Sequence, residues 1–62
     1  MKCKIEFAMN NAAFEDSPAT EAARILRAIA NSIALGYEGG PCADINGNTV
    51  GVWAVSSESD GV

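Results

Sequence analysis

The chain has 62 residues, 48% of them hydrophobic, with four basic side chains against eight acidic ones, no histidine and a net charge of −4. That length allows one small core, and a chain of this size buries only about 60% of the surface its unfolded form exposes. The charge argues against a phosphate-binding surface, which needs clustered Lys and Arg, so direct nucleic-acid binding is not expected. The acidic surface serves solubility, or it is presented to a basic groove on a partner, where complementary charge steers encounter.

Small chains usually lean on disulfides, a metal or a partner subunit. Cys3 and Cys42 are far apart in sequence, without the paired spacing of a zinc site or the density of a secreted disulfide scaffold. Two buried free thiols, each a small hydrophobe, are the expectation, with a Cys3 to Cys42 disulfide as the other option. The first residues, Met1-Lys2-Cys3-Lys4-Ile5-Glu6, lack the apolar core of a signal peptide, and no run reaches membrane-spanning length. A soluble cytoplasmic protein with no membrane partner is expected.

Residues 2–9 alternate with period two, Cys3, Ile5, Phe7 and Met9 on one side and Lys2, Lys4, Glu6 and Ala8 on the other. The pattern predicts a strand of an antiparallel sheet covered on one face. Residues 10–16 break the alternation and predict a loop, in which Phe14 is read as an anchor closing one end of the core. Glu15 and Asp16 precede a helix start, where the macrodipole favours negative charge. An acid/base pair would need a pocket and partners that the sequence does not offer.

A helix is predicted over 17–36, with Ser17 as N-cap, Pro18 at the first helical position and Gly36 as the stop. At about 100° per residue, Ala22, Ile25, Leu26, Ile29 and Ile33 share one stripe, and Thr20, Arg24, Arg27 and Asn31 lie on the opposite, solvent side. Ala23, Ala30 and Ala34 form a second strip of small residues. These are good helix formers, and they could also admit a second helix across a dimer interface.

Residues 37–41 read as a turn segment leading back to the sheet, with Tyr37 packed over the helix end. Gly39-Gly40 is not a phosphate loop, since no Lys and Ser or Thr follow at a helix start. A short strand is predicted over 42–45, a hairpin turn at Asn46-Gly47, and a returning strand over 49–55. Asp44-Ile45-Asn46-Gly47-Asn48 has the opening spacing of a calcium loop, but the later ligands are missing, so turn chemistry is the reading. The returning strand is apolar on both faces, with Gly51, Trp53 and Val55 on one and Val50, Val52 and Ala54 on the other. One face can meet the helix; the other is a candidate contact surface. Residues 57–62 are read as a frayed polar tail.

Asn11-Ala12-Ala13-Phe14-Glu15-Asp16, Ala23-Arg24-Ile25-Leu26-Arg27, and Asp44-Ile45-Asn46-Gly47-Asn48 followed by Val50-Gly51 resemble a group of short proteins encoded by phages and prophages. The likeness covers most of the chain. It departs from the group's pattern at Asn10, where an Asp is usual, and at Ala22, which replaces a larger aliphatic. The resemblance implies a phage origin, and small accessory proteins of that origin often act by blocking host machinery, including defence systems such as CRISPR.

The sequence therefore predicts an α+β fold of order β-α-β-β over residues 1–56, one helix on a three-stranded sheet. The last strand should be central and 42–45 an edge. An antiparallel sheet pairs the first strand with the last and brings Ile5 or Phe7 to Trp53; parallel pairing of the first two strands is the alternative. Without His, and with Ser mainly in the helix and tail, a nucleophile and base have no obvious members, so no enzyme activity, catalytic residue, cofactor or metal is assigned. The functional expectation is a phage-type binding protein that inhibits a host protein, such as an anti-phage defence (CRISPR-type) complex. The alternatives are a homo-oligomer that sequesters a small metabolite or nucleotide, and a purely structural phage accessory protein. A homodimer is expected, with Ala23, Ala30, Ala34, Val50 and Val52 as candidate interface residues.

Overall fold

The structure, a computed structural model, describes residues 1–57. Its elements are β1 (Lys2–Phe7), a 3-10 turn (Ala12–Phe14), α1 (Pro18–Ala34), β2 (Gly39–Ala43) and β3 (Thr49–Ser56). One helix packs on an antiparallel sheet of order β1-β3-β2, the α+β arrangement expected. β3, which carries large apolar side chains on both faces, is central, and Ile5 lies opposite Trp53 in its register with β1.

Within the predicted loop, Asn11 caps the 3-10 turn, its Oδ1 accepting from Ala13 N–H. The turn drives Phe14 into the core, 3% exposed, with its ring stacked on Phe7 at a centroid separation of 6.3 Å. The helix begins at Pro18 after Ser17, although the Ser17 hydroxyl turns to Thr20 Oγ1 at 2.8 Å rather than to the backbone. It ends in a Schellman arrangement: Tyr37 N–H donates to Ser32 O and Gly36 N–H to Ile33 O, with Gly36 at φ +97°. Tyr37 itself is exposed rather than packed over the helix end.

β2 differs from expectation in both bounds. Gly39, Gly40 and Pro41, read as turn residues, lie in the strand, while Asp44 and Ile45 lie beyond it. Pairing with β3 decides this, since Val55 N–H donates to Glu38 O at 2.8 Å and carries the ladder back to Gly39. Pro41 is tolerated because β2 is an edge strand. The hairpin turn has Gly47 N–H donating to Asp44 O and Asp44 N–H to Asn48 O. Gly47 has φ +86°, and among the described residues no non-glycine has a positive φ, which marks a type I turn closed by a left-handed glycine.

The core is Phe14, Ile25, Ile29, Cys42 and Trp53, with Phe7, Ala13, Val50 and Val55 packed against it. The helix buries a stripe rotated from the expected one. Ile25 and Ile29 are buried together with Glu21, whereas Leu26 and Ile33 are exposed. On β1, Cys3 and Ile5 face the helix side but stay exposed, as does Met9 beyond the strand. The helix thus lies toward β2 and leaves β1 half covered. Cys3 is the correction to the expectation of two buried thiols; Cys42 is buried, and both are free. They sit on opposite edges of the sheet, Cys3 across from Val55 and Cys42 across from Gly51, so two strand spacings and four residues of rise put them roughly 16 Å apart, beyond the reach of a disulfide.

Candidate interaction surface

A polar cluster gathers where the 3-10 turn, the start of α1 and the β2–β3 hairpin meet. Asp44, 3% exposed, accepts from Asn46 N–H (2.9 Å), Asn48 N–H (2.8 Å), Asn48 Nδ2 (3.2 Å) and Asn11 Nδ2 (2.8 Å). Burial pushes its carboxyl up, but those donors together outweigh burial and hold it below the usual carboxylate range. The residues that carry the resemblance to a calcium loop therefore perform turn chemistry, with both carboxylate oxygens committed to protein donors.

Glu21, 6% exposed, faces Arg24 in a forked pair, Arg24 Nε to Oε1 at 2.9 Å and Nη2 to Oε2 at 3.0 Å. Ile45 N–H donates to Oε2 at 2.7 Å, and Arg24 Nη2 also donates to Ala43 O at 2.9 Å. The Arg24 bond lowers the Glu21 carboxyl, burial works against it, and the Ile45 bond adds to the lowering. Arg24 was expected on the solvent side; it is half-buried because Glu21, one turn back, holds it against the end of β2. These bonds tether the first half of the helix to β2, which explains why α1 lies off centre. Sequence reading missed Glu21; its signal is an acid on the stripe's edge three positions before an Arg.

Among the described residues, no buried side-chain nitrogen or oxygen lacks a hydrogen-bond partner, and no group of His, Cys, Asp and Glu is placed to hold a metal ion. The motif residues Asn11, Phe14, Arg24, Ile25, Asp44 and Asn48 are thus occupied in joining three elements. A hollow of about 160 Å³ between α1 and β2 is lined mostly by apolar groups, among them Ile25, Ile29, Pro41 and Trp53, with Arg24 at its rim.

Among the described residues, nothing covers the sheet face away from the helix. Val52 stands there 65% exposed, opposite Glu6 on β1 and Pro41 on β2, with Lys4 and Ala54 beside it. Val50, expected on the same face, is half-buried and packs against the core, next to the irregularity between Cys42 and Ala43. Ala30 and Ala34 are exposed on the helix and Ala23 is half-buried. The structure does not bring the alanine strip and the valine face together, because they lie on opposite sides of the molecule. No helix among the described residues is long and apolar enough to cross a membrane. Compared with protein-family models, curated proteins and solved structures, the chain matches none.

Proposed function

We propose that the chain is a non-catalytic binding protein of phage type that blocks a host factor, such as a component of an anti-phage defence complex, through its uncovered sheet face. The observation that carries this reading is Val52, a β-branched residue in the centre of the sheet, 65% exposed with nothing among the described residues packed over that face. An apolar side chain so placed, rimmed by Lys4 and Glu6, has the make-up of a contact surface with a polar border. The net charge of −4 suits a basic partner. The commitment of Glu21 and Asp44, the buried charged groups among the described residues, and of half-buried Arg24 to internal bonds supports binding over acid/base work. The host-factor part of the reading rests on the resemblance described above.

Substituting Val52→Lys places a charge in the centre of that face while leaving the core intact. The variant is expected to keep its native circular dichroism and to lose the host component retained by the unmodified protein in a pull-down, with affinity reduced at least about tenfold. If the unmodified protein retains no host component and phage survival is unchanged without it, the reading fails. If Val52→Lys binds as well as the parent, the sheet face is not the surface used.

A further inference from the structure

Among the described residues no strand pairs with the outer edge of β1, and we infer that a second copy of this chain adds to it in one antiparallel register. The two edges of the sheet are unlike. Ala8 N–H donates to Val50 O at 2.9 Å in continuation of the β1–β3 register, so the even-numbered residues of β1 turn their amides and carbonyls to β3. Cys3, Ile5 and Phe7 turn theirs outward. On β2 the same alternation turns Gly39, Pro41 and Ala43 outward. There Pro41 has no N–H, the Ala43 carbonyl is taken by Arg24, and the strand is irregular after Cys42. Those are the devices that blunt an edge, and β1 has none of them in its backbone.

Charge selects the register. A two-fold pairing that keeps the faces continuous and joins outward residues to outward residues is centred on Lys4, Ile5 or Glu6. Centring on Lys4 sets Lys2 opposite Glu6 of the partner subunit but puts the two Lys4 side chains together on the axis, and centring on Glu6 sets two carboxylates together; like charges directly opposite are destabilising. Centring on Ile5 sets Lys4 opposite Glu6 of the partner subunit, and the reverse by symmetry. Within one chain the cross-strand neighbours of Lys4 and Glu6 are Ala54 and Val52, so neither has a counter-charge opposite it on β3.

The same pairing covers apolar groups that the fold leaves half open. Ile5 (39% exposed) would lie on the two-fold axis, and Leu26 (45%) and Ile33 (39%) occupy the helix flank on the β1 side. The opposite flank, with Arg24, Ala28 and Ser32, lines the hollow over β2. The result is a six-stranded sheet with both helices on one face, a closed isologous assembly. Cys3 would lie opposite Phe7 of the partner subunit and not opposite its own copy, so the dimer needs no disulfide. This inference does not depend on the host-factor reading.

The test is light scattering and native mass spectrometry of the full chain under reducing conditions. The unmodified protein is expected to be a dimer. Lys4→Glu and Glu6→Lys, each of which makes both cross-strand pairs like-charged, are expected to weaken dimerisation about tenfold or more with unchanged circular dichroism. Mixing the two variants should give a heterodimer, and the double exchange K4E/E6K should restore the homodimer. A monomer up to about 1 mM, or single variants that dimerise like the parent, overturns the inference. A folded double exchange that remains monomeric overturns the register.

Discussion

Replacing Asp44 by Ala is expected to leave the protein without a cooperative unfolding transition at room temperature, or with a thermal midpoint lower by more than about 10 °C. The carboxylate does three jobs at once. It closes the hairpin turn through Asn46 N–H and Asn48 N–H. It also holds the Asn48 amide, and it fixes the Asn11 amide and so the 3-10 turn that carries Phe14 inward. Removing it strands several donors in a site only 3% exposed, and an unmade bond at a buried donor costs its full desolvation. Asp44→Asn should fall between the two, since one acceptor oxygen remains while the new NH₂ meets donors. Circular dichroism melting of the three proteins checks the order.

Gly51→Ala is expected to cost about 3 kcal/mol or more, enough to unfold a domain of this size. Gly51 lies opposite Phe7 on β1 and Cys42 on β2. A Cβ built there would overlap Glu6 O and approach Phe7 Cα to 2.5 Å and its Cβ to 2.6 Å. The nearest atoms include backbone on a paired strand, so β1 must shift, and with it the Phe7–Phe14 ring stack. An Ala at Gly36, where the added carbon meets nothing within 4 Å but the backbone has φ +97°, should cost only about 1 kcal/mol. Urea unfolding of the two variants separates close approach from backbone strain.

Much of this architecture is legible in the residues. The alternation in β1, the Ser17-Pro18 start and Gly36 stop of α1, and the Asn46-Gly47 turn are local patterns, and local patterns survive without knowledge of the fold. β2 is less legible because Gly39-Gly40-Pro41 has poor strand propensity; its pairing partner, not its composition, makes it a strand. The exposure of Leu26 and Ile33 was hidden for a related reason. Periodicity defines an apolar stripe, while the docking angle is set by Glu21 bonding to Ile45, 24 positions on, and Arg24 to Ala43, 19 positions on.

The candidate surface was legible only in outline. Val52 could be placed on an uncovered face from alternation alone, but Val50 was drawn to the core beside a strand irregularity that no pattern announces. The openness of the β1 edge depends on which residues pair with β3, a fact of register. Of the expected frayed tail, residues 58–62 lie outside those described.

Whether Glu21 and Asp44 hold the scaffold together, leaving the sheet to make contacts, is tested most directly by urea unfolding at pH 7 and at pH 3. Both carboxyls titrate below their ordinary values in the folded chain. Their contribution is therefore full above the unfolded carboxylate range, about pH 4, and is lost as pH falls through the lowered folded values. The predicted result is a markedly lower urea midpoint at pH 3, with a smaller acid loss in Glu21→Gln, which has one fewer group to protonate. A midpoint that is unchanged or higher at pH 3 would contradict it.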